Sequence, residues 1–187
     1  MTLPSLSVLA PIWGLAELCL AVITRSRSPV ASKDRGSVVL IWAACLGGIA
    51  LADYGAHHFP AWALPNSKML YTTAYCLFIF GLFVRFYSII YLGRFFTPTV
   101  SIASDHRLID SGPYRFIRHP TYTGLLMIVL GFGLSFANLA SLLSIFLPIL
   151  LCLLWRIQIE ERVLTQAFGD QYRFYMRRTK RLIPLIY

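Results

Sequence analysis

Five long apolar runs constrain this chain more than any other feature of its sequence. They cover residues 3–23, 38–54, 69–92, 122–136 and 139–159, and a helix needs about 20 such residues to cross the hydrocarbon of a bilayer. Only 13% of the 187 residues are charged, against 57% hydrophobic, whereas a soluble domain carries about 25% charged residues. That is too little polar surface to cover a globule in water. The pattern predicts an all-α, multi-pass transmembrane protein of about five spans. Little more than Ala137-Asn138 separates the last two runs, which predicts an antiparallel helical hairpin. Pro120 suits the first turn of the fourth helix. No Lys or Arg precedes the first run and no small-x-small site follows it, so it reads as a retained span instead of a signal peptide.

The net charge of +9 does not point to nucleic acid, because the basic residues sit in gaps between apolar runs, where they meet lipid headgroups. Their distribution alternates. Arg25, Arg27, Lys33 and Arg35 crowd the first gap, and the segment 53–67 has no Lys or Arg. Arg94, Arg107, Arg115 and Arg118 fill the next gap, the hairpin tip has none, and six basic residues from Arg162 to Arg181 follow the fifth run. By the positive-inside rule the N-terminus lies outside and the C-terminal tail in the cytosol, which requires an odd number of spans. Cys19, Cys45, Cys76 and Cys152 fall inside apolar runs without CxxC spacing and read as packing thiols. His57-His58 lacks companion ligands, so no metal site is expected. Arg85, inside the third run, snorkels or lines a polar cavity, the first being the simpler expectation, and the sequence names no partner for Glu17.

Polar chemistry concentrates on the cytosolic side. One stretch runs from His106 to Gly124 and contains Gly112-Pro113-Tyr114 and Arg118-His119-Pro120-x-Tyr122. A helix starting at Pro120 presents the backbone N–H groups of its first turn, which favour an anion; Arg118 and His119 add donors, and Tyr114 and Tyr122 add aromatic faces. This set suits an amphiphilic ligand with a carboxylate and a heteroaromatic ring, and it equally describes an interfacial belt of aromatic and basic residues. The second stretch carries Arg156 and Glu160, four apart and therefore on one helix face. An ionisable pair at a membrane boundary marks either function or a structural ion pair.

The run Gly112-Pro113-Tyr114-x-x-x-Arg118-His119-Pro120-x-Tyr122-x-Gly124 resembles the signature of isoprenylcysteine carboxyl methyltransferases. So do the glutamates followed by Phe168-Gly169-x-x-Tyr172-x-x-Tyr175 and the basic stretch ending Arg181-Leu182-Ile183-Pro184. The resemblance covers roughly residues 93–184. It implies an integral membrane enzyme using S-adenosylmethionine, with residues 1–92 supplying three N-terminal spans and 93–187 forming a methyltransferase-like core. It further implies cofactor contacts from His106, Arg107, Leu108, Ile109, Tyr114, His119, Pro120, Thr121, Tyr122 and Glu160, and places Arg156 on the substrate side. Some members carry Gln where this chain has Thr99, which leaves Thr99 outside the expected site. The implied acceptor is lipophilic or prenylated and enters from the bilayer.

A phospholipid amine or a small thiol are the alternative acceptors. A nicotinamide-dependent membrane reductase and a non-catalytic transport or assembly protein are the alternative classes. Against transport, the polar residues gather at one membrane face instead of at midplane. The topology has a direct test. Single cysteines placed in 53–67 of the intact cell's protein should react with impermeant maleimide, and those in 107–118 should react only after permeabilisation. A cytosolic 53–67 segment would overturn the orientation.

Overall fold

The computed structural model describes residues 6–25, 36–65, 67–96, 107–184 and 186–187. Six α-helices account for most of them: α1 (Leu6–Arg25), α2 (Gly36–His58), α3 (Lys68–Leu92), α4 (Pro120–Leu134), α5 (Leu139–Phe168) and α6 (Asp170–Arg178). Among the described residues the only β-type pairings are two isolated bridges. The helix ends follow local chemistry. Ser67 accepts from Leu70 N at 3.1 Å to cap α3, and Asn138 accepts from Ser141 N at 3.2 Å to cap α5; each satisfies an N–H that the helix itself leaves orphaned. Gly169, at φ 54°, breaks the chain direction between α5 and α6.

The surface is that of a protein solvated by lipid. Leu15, Val22, Leu46, Phe83, Ile90 and Leu151 all point outward, an apolar exposure that a soluble monomer rarely tolerates. Segments Val39–His58, Lys68–Phe95 and Leu139–Phe168 are long and apolar enough to cross a membrane. The chain is an integral membrane protein. Helix α4 has 15 residues, about 22 Å of rise, so by itself it is shorter than the bilayer's hydrocarbon. Cys19 and Cys76 also face outward, where lipid receives a thiol as a small apolar group; they are not the buried packing thiols expected. Helix α5 runs past the apolar run's end at residue 159 to Phe168, because its last turns remain amphipathic and bury Glu161 beneath the C-terminal segment.

Glycines decide which helices meet. A Cβ on Gly124 of α4 would lie 2.6 Å from the Arg85 backbone nitrogen, and one on Gly131 would lie 2.5 Å from the Ala74 carbonyl. Helices α3 and α4 therefore approach backbone to backbone, the close packing that small residues permit where lipid supplies no hydrophobic drive. Helices α2 and α5 use Gly48 and Gly55 similarly, and Ser141 Oγ donates to Ala52 O at 2.6 Å across their contact. The core between these pairs contains Ala74, Phe78, Ile128, Val129, Ile145, Ile149 and Leu153. The expected α4–α5 hairpin is present, turning through residues 135–138, with Asn138 Nδ2 bonded to Phe59 O at 2.9 Å. Its two arms make their most extensive contacts with α3 and α2, respectively.

Arg85 does not snorkel. Its guanidinium is bonded to the Glu17 carboxylate and donates to Thr121 O at 3.0 Å, while Trp13 Nε1 donates to Glu17 at 3.0 Å. A buried arginine inside an apolar helix is less costly when paired and hydrogen-bonded than when unpaired in hydrocarbon. The pair joins α1, α3 and the first turn of α4.

Two glycine substitutions separate packing from propensity. Gly131→Ala should cost about 1–3 kcal/mol by overpacking the α3–α4 contact. Gly47→Ala, with nothing within 4 Å of the added Cβ, should be neutral or stabilising by up to about 1 kcal/mol. Thermal unfolding in detergent reads both, and equal effects would contradict the packing account.

Candidate functional site

Three segments meet at one end of the bundle. The chain between α3 and α4 turns through a 3-10 segment at Gly112–Arg115. Gly112 has φ 56°, a left-handed conformation that favours glycine, and its Cβ would fall 2.5 Å from the Tyr91 ring that overlies it. The turn points Tyr114 inward, where its hydroxyl donates to Ser88 O of α3 at 3.3 Å. Next, residues 117–119 pair with the C-terminal segment: Arg118 N donates to Lys180 O at 2.7 Å and His119 N to Arg181 O at 3.0 Å. Helix α6 folds back over this region, and Tyr175 Oη donates to the Tyr114 carbonyl at 2.6 Å.

Glu161 fastens these pieces. Its buried carboxylate accepts from Arg118 Nε at 2.9 Å and from Arg181 Nε and Nη2 at 3.0 and 2.8 Å. Arg118 also donates through Nη1 to the carbonyls of Met176 and Thr179. Arg118 thus spends its donors on the C-terminal fold, correcting the expectation that they supplement the start of α4. Nor does a side chain cap that start: His119 occupies the N-cap position without a capping bond, and the amides of Tyr122 and Thr123 bond back to His119 O.

The cavity these segments enclose is lined by Arg107, Leu108, Ile109, Tyr114, Arg118, His119, Thr121, Tyr122 and Glu160, with Leu92, Phe95, Phe96, Leu164, Phe168, Tyr172 and Tyr175 completing its wall. Most of the residues singled out from the sequence come together here. Pro120 is buried behind the wall, and His106 lies outside the described residues. Arg156 is also off the wall, one hydrogen bond behind it. Its Nε donates to Tyr122 Oη at 2.7 Å, and Tyr122 Oη donates to Glu160 at 2.8 Å. The i,i+4 spacing of Arg156 and Glu160 thus serves a three-member arrangement centred on a tyrosine from another helix. The His119 ring stacks on Tyr122 with centroids 5.5 Å apart. Its Nδ1 lies 3.7 Å from Glu160 and its Nε2 3.5 Å from Glu161, and Nε2 has no well-formed hydrogen bond among the described residues.

Residues that sequence reading missed are chiefly apolar. Leu92, Phe95 and Phe96 close the α3 run, and Leu164 lies on the last turns of α5; nothing local distinguishes them from ordinary span residues. Chemically, the cavity offers aromatic walls, one partly exposed carboxylate on Glu160, and buried donors. It suits an organic ligand that combines a heteroaromatic ring with a cationic centre.

The phospholipid methyltransferase family model matches residues 69–171. The protein-S-isoprenylcysteine O-methyltransferase of Schizosaccharomyces pombe is 30% identical over 131 residues, 68% of this chain and 56% of that protein. A probable protein-S-isoprenylcysteine O-methyltransferase of Oryza sativa subsp. indica is 30% identical over 135 residues, 70% of this chain and 71% of the relative. This chain belongs to the isoprenylcysteine carboxyl methyltransferase family. Its fold agrees: the solved structure of the eukaryotic intramembrane Ras methyltransferase, an isoprenylcysteine carboxyl methyltransferase, superposes with a TM-score of 0.62 at 29% identity, covering 78% of this chain and 52% of that one. The chain spans little more than half the length of several relatives it matches. The region matched by the family model begins at residue 69 and so takes in α3.

The tyrosines make the site's rigidity measurable. Burial, reinforced at Tyr114 by the charge of Glu160, pushes the hydroxyls of Tyr114, Tyr172 and Tyr175 above the ordinary phenol range. A folded-state pKa raised above the unfolded value of about 10 contributes stability that is present below pH 10 and lost as pH rises beyond it. Absorbance titration should show these three ionising only together with loss of structure. Full ionisation of all tyrosines near pH 10, with the fold intact, would contradict a closed site.

Proposed function

We propose that this chain is an S-adenosylmethionine-dependent methyltransferase acting on a lipophilic acceptor, in the first instance a carboxyl O-methyltransferase of isoprenylcysteine type. The convergence of Arg107, Leu108, Ile109, Tyr114, His119, Thr121, Tyr122 and Glu160 on one cavity carries this reading. Residues 93–187 form the methyltransferase core, braced by the three helices of residues 1–92. The site faces the cytosol and the N-terminus lies outside, as the alternation of basic residues requires.

The cofactor supplies an electrophilic methyl group on a sulfonium that also bears an ammonium, a carboxylate and an adenine. The residues present fit it. Glu160 is the carboxylate available to a cationic group, and Tyr122 fixes one of its oxygens. Buried His119, whose Nδ1 lies 3.7 Å from Glu160, serves the polar end, while Tyr114 and the phenylalanine wall receive the ring. Arg156 lies deeper along α5 than Glu160 and is oriented by Tyr122. From there it holds the acceptor's carboxylate by a charge-assisted contact. A carboxylate is already nucleophilic, so no general base is needed, and rate enhancement comes from alignment and exclusion of water.

The matching family model is described as phospholipid methyltransferase, which favours a phospholipid amine as the second candidate acceptor. The buried guanidinium of Arg156 speaks for the carboxylate, since it attracts an anion and repels a protonated amine. Incubation with methyl-labelled cofactor and a panel of prenylated peptides and phospholipids decides between them. The roles within the site separate by variant. Glu160→Gln should weaken S-adenosylhomocysteine binding about ten- to a hundredfold, the loss of a charged hydrogen bond. Arg156→Ala should leave that affinity within about threefold, less than one ordinary hydrogen bond, while methyl transfer collapses. Equal losses in both variants that track their melting temperatures would reduce the pair to a structural role.

A further inference from the structure

Four tyrosines line the cavity, and three of their hydroxyls are committed within the protein. Tyr114 donates to Ser88 O, Tyr175 donates to Tyr114 O, and Tyr122 donates to Glu160. Tyr172 differs. It is only 1% exposed, and its hydroxyl has no hydrogen-bond partner among the described residues. Its ring is fixed edge-on against Tyr175, with centroids 5.8 Å apart, and the side chain forms part of the cavity wall. A buried hydroxyl left without a partner is destabilising. Phenylalanine would fill the same volume without that cost. Such a group persists where a ligand supplies the missing partner.

Resting on the methyltransferase reading above, we infer that Tyr172 is a further cofactor-binding residue, whose hydroxyl donates a hydrogen bond to an acceptor atom of the bound S-adenosyl ligand. The phenol keeps its proton in these surroundings, because burial and the carboxylates of Glu161 and Glu160 oppose its ionisation; it is a donor throughout the physiological range. Helix α6 then has two functions. It closes the cavity through Tyr175 and contributes a ligand contact through the residue one turn earlier.

The test compares wild type with Tyr172→Phe in nanodiscs, using S-adenosylhomocysteine as the probe. Calorimetry should show affinity reduced about three- to tenfold, the range of one neutral hydrogen bond. The ligand-free variant should melt at or above the wild-type temperature, because an unsatisfied hydroxyl has been removed. The ligand-induced rise in melting temperature should shrink. Unchanged affinity overturns the inference, including the case in which only the acceptor's KM rises. So does a ligand-free variant that melts lower or fails to fold, since the hydroxyl would then have a structural partner. If wild type itself does not bind the probe while folded, the methyltransferase reading fails and this inference with it.

Discussion

A buried carboxylate, that of Glu161, holds the site together. Two guanidiniums reach it from segments far apart in the chain, Arg118 just before α4 and Arg181 just after α6, and His119 faces it. A carboxylate so placed is expensive unless paired, and its attraction for both cations recovers more of the cost where other donors of each cation are also used. They are. Arg118 bonds the carbonyls that end α6, and Arg181 donates to Tyr187 Oη at 2.7 Å. The backbone pairing of 118–119 with 180–181 and the folding of α6 over the cavity depend on this junction.

Beneath it, the membrane portion solves a different problem, that of bringing helices together where burial of apolar surface supplies no drive. Gly81, Gly124 and Gly131 let α3 and α4 touch along their backbones. That contact places Arg85 against the Thr121 carbonyl, and Glu17 neutralises it from α1. The start of α4 is thereby held from below by Arg85 and from above by the C-terminal segment, through Thr123 Oγ1 bonded to Leu182 O at 2.7 Å. His119, Thr121 and Tyr122 sit on a fixed platform as a result, and pre-organisation of this kind lowers the entropy lost when a ligand is aligned.

The division of labour between adjacent glutamates follows from helix geometry. Successive residues on a helix are separated by about 100°, so Glu160 and Glu161 face different surroundings. Glu161 turns toward the arginines and is spent on structure. Glu160 turns toward the cavity, where Tyr122 engages one of its oxygens and the side chain stays partly exposed. Tyr122 also receives Arg156, so one phenol sets the position of both the residue assigned to the cofactor and the residue assigned to the acceptor.

Much of this was legible in the sequence. The five apolar runs define helices because lipid leaves backbone groups no other partner. Pro120, Asn138, Gly112 and Gly169 mark ends and turns through their own conformational limits, and the spacing of motif residues from Tyr114 to Glu160 carried the family resemblance. What the sequence could not supply were partnerships across long separations. Glu17 and Arg85 looked like isolated charges because they are 68 residues apart, and Arg118 looked like a ligand donor because Glu161, 43 residues on, was not known to face it. Leu92, Phe95, Phe96 and Leu164 carry no local mark that separates cavity wall from lipid-facing span. Local propensity and hydropathy act within a few residues of chain, whereas the pairing of a buried charge is decided only when packed helices bring its counter-ion within reach.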